Sequence, residues 1–273
     1  MENLNIDFER LFSIKGQVAV VTGASGRLGR IHADLLASEG ANLALCARNL
    51  GPLKELAAQL RHKYKIKVYE ASVDITKEKQ VETFFKNVHA HFGRIDILIN
   101  NAGLSGSTMI KPGKKFKALN ISQSLWNRII KANIYSAFIV SKTAIRYMAK
   151  HKHGKIINVS SVYGIFIDEV DALPLAAYDT SKGALLTLTR ELAIEFAPKG
   201  ISVNAVAPSY IYTGKSIEKN KILKHWEALT PMKRLGTPQD LRGPILFLSC
   251  PASDFITGEV FSVDGGWAAK GKP

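Results

Sequence analysis

The stretch Gln17–Gly29, which reads QVAVVTGASGRLG, decides the fold. Its first six residues form a largely β-branched, apolar run, as expected for a strand buried on both faces of a parallel sheet. Gly23, Gly26 and Gly29 follow at once, and a helical pattern begins at Arg27. Glycines between a strand and a helix let phosphate groups reach the backbone, where the helix N-terminus offers N–H groups. The stretch therefore predicts a nucleotide-binding strand, turn and helix.

Strand and helix patterns alternate along the rest of the chain. This alternation is typical of βαβ units in a parallel sheet with right-handed crossovers. It predicts an α/β fold of the Rossmann type, a doubly wound, seven-stranded parallel sheet with helices on both faces. The predicted strands are 17–22, 42–46, 67–72, 95–99, 155–159, 202–206 and 259–263, and the predicted helices are 27–38, 52–63, 77–92, 122–150 (one helix or two joined), 177–196 and 238–248.

No repeat, low-complexity tract or linker divides the chain, so we expect one domain over residues 15–273 after an N-terminal extension, 1–14. Three segments fall outside the alternation and follow predicted strand ends, where ligands bind in such sheets. These expected substrate loops are 104–121, 162–177 and 209–234.

The 273 residues include 37 Lys and Arg against 23 Asp and Glu, a formal net charge of +14. A basic surface favours solubility, and it also suits cofactor phosphates or an acidic carrier protein. No basic stripe with interleaved aromatic residues accompanies the charge, so we expect no nucleic-acid partner. The chain has no apolar run long enough for a bilayer and no secretory signal pattern, so we expect no membrane partner and a cytoplasmic location.

Cys46 and Cys250 lie far apart in apolar contexts, which predicts buried free thiols in a reducing compartment. The paired histidines at 89/91 and 151/153 lack further ligands at a usual spacing, so we expect no metal site.

The second predicted strand ends in Cys46-Ala47-Arg48-Asn49. An acidic residue at this strand end binds the ribose 2′-hydroxyl of NAD, whereas an arginine accommodates the 2′-phosphate of NADP. No acid is present, and Arg27 in the glycine turn could reach the same phosphate. The sequence therefore favours NADP over NAD as the cofactor.

Tyr178 and Lys182 lie four residues apart in a helical pattern, one turn from each other on one face. A tyrosine titrates near ~10, and a nearby ammonium is expected to lower that pKa. The pair then suits proton transfer at an alcohol or carbonyl oxygen.

Together these motifs resemble the short-chain dehydrogenase/reductase family in its compact single-domain form, over residues 15–267. The matching segments are Thr22–Gly29, Val73–Ile75, Asn100–Gly103 (NNAG), Asn133, Ser160–Ser161, Tyr178 with Lys182, Asn204–Pro208 with Ile211 and Thr213, Pro231–Gly236, Ile256–Gly258 and Val263–Gly266.

The resemblance implies an NAD(P)-dependent oxidoreductase acting on a ketone or secondary alcohol, assembled as a homotetramer or dimer. It implies that Tyr178 is the general acid or base, that Lys182 tunes it, that Ser161 holds the substrate oxygen and that Asn133 positions a water. The implied cofactor-binding residues are Gly23, Ser25, Gly26, Arg27, Leu28, Gly29, Arg48, Asn49, Asp74, Ile75, Asn101, Ala102, Gly103, Tyr178, Lys182, Pro208, Ile211 and Thr213.

Two positions depart from the family pattern. Arg27 stands where compact members usually carry the middle glycine, and Ser209 stands where a glycine usually follows the proline. These differences leave the expected chemistry in place but leave the substrate open among sugars, polyols and 3-oxoacyl compounds. One alternative is a 3-oxoacyl-[acyl-carrier-protein] reductase. Another is a non-catalytic protein that senses the dinucleotide on the same fold.

Overall fold

The computed structural model describes residues 7–104, 118, 121–167, 176–212, 214 and 221–270. Within these ranges seven strands form one sheet in the order β3-β2-β1-β4-β5-β6-β7, and every pairing is parallel. This confirms the predicted fold class. The strands are β1 (Val18–Thr22), β2 (Asn42–Ala47), β3 (Val68–Ser72), β4 (Ile97–Asn100), β5 (Gly154–Val159), β6 (Ile201–Pro208) and β7 (Val260–Val263).

The α-helices of the described residues agree closely with the periodic patterns. The helix that follows the glycine turn matches its prediction residue for residue, and left-handed Gly93 ends the helix before β4 as predicted. The helices are α1 (Phe8–Phe12), α2 (Arg27–Ser38), α3 (Leu50–Tyr64), α4 (Glu78–Phe92), α5 (Gln123–Ile130), α6 (Ser136–His151), α7 (Ala176–Phe196), α8 (Lys221–Leu229) and α9 (Arg242–Ser249).

Several helical segments of the described residues differ from the sequence expectation. The N-terminal extension contains the short helix α1, and the expected loop 209–234 contains α8. The predicted helix 238–248 begins as a 3₁₀ turn, Pro238–Leu241, before α9. Thr237 and Asp240 form a capping box at this turn, which satisfies N–H groups that a regular first helical turn would leave unpaired.

Side chains alternate between two hydrophobic cores on opposite faces of the sheet. Ala19 and Val21 pack in the core that contains α2, α3 and α9. Val18 and Val20 pack in the core that contains α4, α6 and α7. Both faces of β1 are covered by packed side chains, which accounts for its apolar sequence. A ligand can therefore approach β1 only at its carboxyl end.

Candidate active site

The carboxyl ends of β1 to β5 border a cleft of about 840 Å³, a size typical of ligand sites. Fifteen of the residues expected to bind the cofactor line this cleft, from the glycine turn at one end to Tyr178 at the other. They are Gly23, Ser25, Gly26, Arg27, Leu28, Gly29, Arg48, Asn49, Asp74, Ile75, Asn101, Ala102, Gly103, Tyr178 and Lys182. The wall also contains Val73 and Ser160, from segments that match the family, and Leu104, from an expected substrate loop. Further wall residues that the sequence reading missed are Ala47, Thr76, Ala132 and Val159.

The glycine turn requires glycine at two of its positions for steric reasons. Gly23 has φ +63°, and a Cβ there would lie 2.9 Å from the Cα of Ala102. A Cβ on Gly29 would lie only 2.2 Å from the carbonyl oxygen of Gly23, so α2 can pack against the turn only with glycine at this position. At the start of α2, the N-cap residue Gly26 has no side chain to cap the first N–H groups. These groups and the helix dipole fit the phosphates of a dinucleotide.

Arg30 fixes the turn from behind, and sequence reasoning missed it. Its Nε donates to the carbonyl of Ser25 at 3.1 Å, and its Nη2 donates to the carbonyl of Pro52 at 3.2 Å. The arginine thereby ties the turn to the first residues of α3. The only sequence feature that pointed to this anchoring role was the position of Arg30 one turn into α2.

Thr22 connects the glycine turn to the NNAG segment after β4. Its Oγ1 accepts the N–H groups of Asn101 and Ala102, both at 3.1 Å. The Asn101 side chain in turn donates to the carbonyl of Thr22 at 3.0 Å. Asn101 therefore holds two strand ends together at the floor of the cleft.

Near the carboxyl ends of β2 and β3, the wall of the cleft contains two arginines and one carboxylate. Arg27 and Arg48 are exposed and line the wall. Burial opposes ionisation of Asp74, but its hydrogen bonds from Thr76 and the charges of Lys77 and Arg48 lower its pKa overall. With no acid at the end of β2, this region fits a 2′-phosphate, as the sequence predicted.

Tyr178 and Lys182 meet at the other end of the cleft. Lys182 Nζ lies 5.6 Å from the centroid of the Tyr178 ring and donates to the carbonyl of Val159 at 2.8 Å. Burial lowers the pKa of Lys182 to about 8. Burial also raises the pKa of Tyr178 to about 12, against the opposing effect of a hydrogen bond with Ser161.

The sign of the Tyr178 shift differs from the sequence expectation. A neighbouring ammonium was expected to lower this pKa, but the desolvation of the phenol dominates. The phenol is therefore protonated at neutral pH.

Ser160 and Ser161 point in different directions, in agreement with the alternation of a strand end. Ser160 Oγ donates to the carbonyl of Lys182 at 3.0 Å. Ser161 instead hydrogen-bonds the side chain of Tyr178, and its Oγ also accepts the N–H of Tyr163 at 3.3 Å. Ser161 is thus the serine placed to share a substrate oxygen with Tyr178.

Asn133 lies behind the cleft rather than in its wall. It is buried in a π-helical turn, Lys131–Tyr135, that joins α5 to α6. Its amide bonds both backbone groups of Leu104, accepting from N at 2.7 Å and donating to O at 3.0 Å. It also donates to Ser181 Oγ at 2.8 Å, and that hydroxyl donates to the carbonyl of Tyr178 at 2.6 Å. The observed contacts thus hold the loop after β4 against α7, while the water-positioning role stays a prediction.

Two of the three residues expected beside the nicotinamide, Pro208 and Ile211, do not line this cleft. β6 continues to Pro208, which pairs with Val263, and Ile211 forms a bridge with Gly236. Thr213 lies outside the described residues, as does about half of the expected substrate loops, residues 105–117, 119–120, 168–175 and 215–220. The role of these positions stays a prediction.

Three further properties concern the described ranges only. They contain no group of three or more His, Cys, Asp or Glu residues placed to hold a metal ion. Their helices include none that combines the length and the apolar character needed to cross a membrane. Cys46 and Cys250 are buried free thiols, as predicted.

Known proteins with similar sequences and folds are oxidoreductases. A family model described as enoyl-(acyl carrier protein) reductase matches residues 23–268. A 3-oxoacyl-[acyl-carrier-protein] reductase from Aquifex aeolicus is 32% identical, covering 93% of this chain and 98% of the relative. The 5-keto-D-gluconate 5-reductase of Escherichia coli K12 is 31% identical, covering 94% of this chain and 97% of the relative.

Solved structures lead to the same family. A gluconate 5-dehydrogenase from Burkholderia cenocepacia, in complex with NADP and tartrate, superposes with a TM-score of 0.85 at 29% identity, covering 96% of this chain and 98% of that one. The glycine turn, the NNAG segment and the Tyr178–Lys182 pair all occupy one cleft of the same fold. The chain therefore belongs to the short-chain dehydrogenase/reductase family and is an NAD(P)-dependent oxidoreductase.

Proposed function

We propose that the protein interconverts a ketone and a secondary alcohol, with NADP as the favoured cofactor. The observation that carries this proposal is the position of Tyr178 and Lys182 at one end of a cleft whose other end is a phosphate-binding turn, with Ser161 hydrogen-bonded to Tyr178. A proton-transfer group is thereby held at a fixed distance from a dinucleotide site. The nicotinamide, when bound, supplies or accepts the hydride.

The side chains supply the proton and stabilise the charge. Because its pKa is raised to about 12, Tyr178 is protonated at neutral pH and can donate a proton to a carbonyl oxygen during reduction. Ser161, hydrogen-bonded to the same phenol, is placed to hold that oxygen while negative charge develops on it. The Lys182 ammonium stabilises the phenolate left behind. In the oxidative direction the phenolate takes the proton back.

Replacing Tyr178 with phenylalanine tests this assignment. The variant loses the acidic hydroxyl and keeps the ring, so it should bind NADPH normally and lose turnover by about 10²–10⁴-fold. Binding is measured by NADPH fluorescence titration and turnover by absorbance of the reduced cofactor. Tyr147→Phe, the same change on α6 away from the cleft, is the matched control. Near-normal turnover by Tyr178→Phe would refute the assignment.

A 3-oxoacyl-[acyl-carrier-protein] reductase is the second candidate. The net charge of +14 suits an acidic carrier protein, and the Aquifex aeolicus relative carries that activity in its name. Turnover of 5-keto-D-gluconate and of acetoacetyl-N-acetylcysteamine thioester, each assayed with NADPH, separates the two substrate classes. A clear preference for the thioester would favour the second candidate.

The assembly and cellular location are part of the proposal. Several large apolar side chains are exposed along α5, the π turn, α6 and α7, which supports a homotetramer or dimer built on these helices. They are Trp126, Tyr135, Phe138 and Ile194. The buried free thiols support a reducing cytoplasmic location.

A further inference from the structure

Two separate segments of the cleft wall are expected to hold phosphate groups of the cofactor. The glycine turn and the first N–H groups of α2 fit the pyrophosphate, and Arg48, just after β2, fits the 2′-phosphate. NADP carries both groups, whereas NAD carries only the pyrophosphate. The spacing between the two segments therefore matters more for NADP than for NAD.

Arg30 joins these two segments from outside the wall of the cleft. Its Nε donates to the carbonyl of Ser25 in the glycine turn at 3.1 Å, and its Nη2 donates to the carbonyl of Pro52 in the first turn of α3 at 3.2 Å. The guanidinium group is planar and rigid, so it holds the two carbonyl oxygens at a fixed separation. The glycine turn cannot shift relative to the start of α3 unless one of these hydrogen bonds breaks.

The start of α3 is itself held to the backbone of Arg48. Pro52 lies in the helical turn that Asn49 caps by accepting the N–H of Gly51 at 3.2 Å. Asn49 directly follows Arg48, whose carbonyl accepts the hydroxyl of Ser72 at 2.9 Å. A displacement of Pro52 is thereby transmitted to the residue expected to bind the 2′-phosphate.

Other contacts maintain the fold around Arg30. β1 pairs with β2 along its whole length, and the N–H of Ala24 donates to the carbonyl of Cys46 at 3.1 Å where the two strands end. Arg30 adds a connection beyond the strand ends, where strand pairing no longer sets the spacing. A substitution of Arg30 should therefore loosen the two segments relative to each other while β1 and β2 stay paired.

We propose that Arg30 is a positioning residue that fixes the spacing between the pyrophosphate and 2′-phosphate sites and thereby favours NADP over NAD. A site whose two parts are already in place loses less conformational freedom when one ligand engages both of them. NAD gains little from the fixed spacing, because it engages only the glycine turn. The inference rests on the proposed binding of the 2′-phosphate by Arg48.

The test measures the dissociation constants of NADPH and NADH for each variant by fluorescence titration. Arg30→Met removes both hydrogen-bond donors and keeps an unbranched side chain, so we expect about tenfold weaker binding of NADPH. Binding of NADH should weaken by no more than about threefold. Arg30→Lys should resemble Arg30→Met, because one ammonium group does not reproduce a rigid pair of donors.

Arg242→Met is the matched control. Arg242 of α9 also connects α2 to another helix, donating to Asp34 Oδ2 at 3.2 Å and to Ser38 Oγ at 2.9 Å, but at the end of α2 away from the glycine turn. Its loss should leave the ratio of the two dissociation constants unchanged. In the Arg48→Asp background, Arg30→Met should weaken NADPH and NADH alike, since the 2′-phosphate contact is already lost.

The outcomes separate this inference from the proposed function. Equal weakening of both cofactors by Arg30→Met would overturn the role in spacing, and so would wild-type affinity for NADPH in Arg30→Met or in Arg30→Lys. Additive effects of Arg30→Met and Arg48→Asp, the same change of ratio in Arg242→Met, or a wild type that binds NADH as tightly as NADPH would also overturn it. Binding is measured without a ketone. A wild type that binds NADPH but reduces no ketone would therefore overturn the proposed function and leave this inference standing.

Discussion

Burial opposes the ionisation of two adjacent side chains of α7, Tyr178 and Asp179. Burial raises the pKa of Tyr178 to about 12 and that of Asp179 to about 7. For Tyr178 the shift preserves the protonated phenol that a ketone needs as a proton donor. Asp179 has no role in the proposed proton transfer, and its Oδ1 is buried without a hydrogen-bond partner in the described part of the chain. Its ionised form therefore destabilises the folded protein.

Replacing Asp179 with asparagine should stabilise the protein increasingly as the pH rises. The carboxyl titrates at 3.8 when unfolded and at about 7 when folded, so between these values the unfolded chain carries fewer protons. The free energy of unfolding of the wild type thus falls as the pH rises from about 4 through 7, and asparagine removes this loss. Urea unfolding at pH 4, 5.5 and 8 measures the difference. A constant difference across that range would contradict the prediction.

At the scale of the element, we expect the end of β2 to decide between the two nicotinamide cofactors. Arg48 and Arg27 bring positive charge to the cleft, and Asp74 is the nearby carboxylate on the β3 side. The backbone just after β2 is held in place because Asn49 Oδ1 accepts the N–H of Gly51 at 3.2 Å and so caps α3. A change of charge at residue 48 therefore acts on the ligand more than on the fold.

Arg48→Asp should weaken NADPH binding by about 10- to 100-fold and strengthen NADH binding. The substitution removes a charge-assisted hydrogen bond to the 2′-phosphate and supplies an acceptor for a 2′-hydroxyl. The KM values for both cofactors provide the measurement. Arg10→Asp on α1 makes the same change of charge far from the cleft and is the control. An unchanged ratio of the two KM values would rule out the role of Arg48.

The elements that sequence predicts well are those specified by local patterns. The bounds of α2 follow from the glycine turn before it and from Gly40 after it, both visible in the sequence. The π turn around Asn133 was not predictable in this way. It depends on Leu104 and Ser181, residues distant along the chain that bond the asparagine only after the helices have packed. The helix α8 was missed because its pattern lies inside a segment that looked irregular.

The same division applies to the candidate site. The four-residue spacing alone was enough to predict that Tyr178 and Lys182 are neighbours, since residues four apart lie on one helix face. The anchoring of the turn by Arg30 and the contact between Tyr163 and Tyr210 join separate elements, so no local spacing indicates them. Tertiary packing also determined the sign of the Tyr178 pKa shift, because desolvation depends on everything around the phenol.

At the scale of the whole molecule, the exposed apolar surface of α5 to α7 predicts self-association. Ile194 on α7 is 78% exposed, and Phe138 on α6 is 40% exposed. We propose that these exposed side chains form one apolar patch, because a contiguous patch of this kind marks an interface. The long helices would then be covered by the same helices of a second copy.

Ile194→Asp should shift the protein to a smaller assembly, because a charge would be buried without a partner. Light scattering after gel filtration measures the mass. Phe8→Asp changes another exposed apolar residue, 65% exposed on α1, and should leave the mass unchanged. A wild-type protein that is monomeric across the micromolar range would contradict the proposed assembly.

The number of residues between Ile130 and Ser136 is constrained more tightly than their identity. A π turn contains about one residue more than an α turn, and each helical residue rotates the chain by about 100°. Losing one residue here would let the π turn close as an α turn and would rotate residues inside the turn by up to about that angle. It would also carry Asn133 away from Leu104 and Ser181. This segment can therefore accept substitutions that keep Asn133, but a deletion or an insertion would disconnect the loop after β4 from the helix of Tyr178.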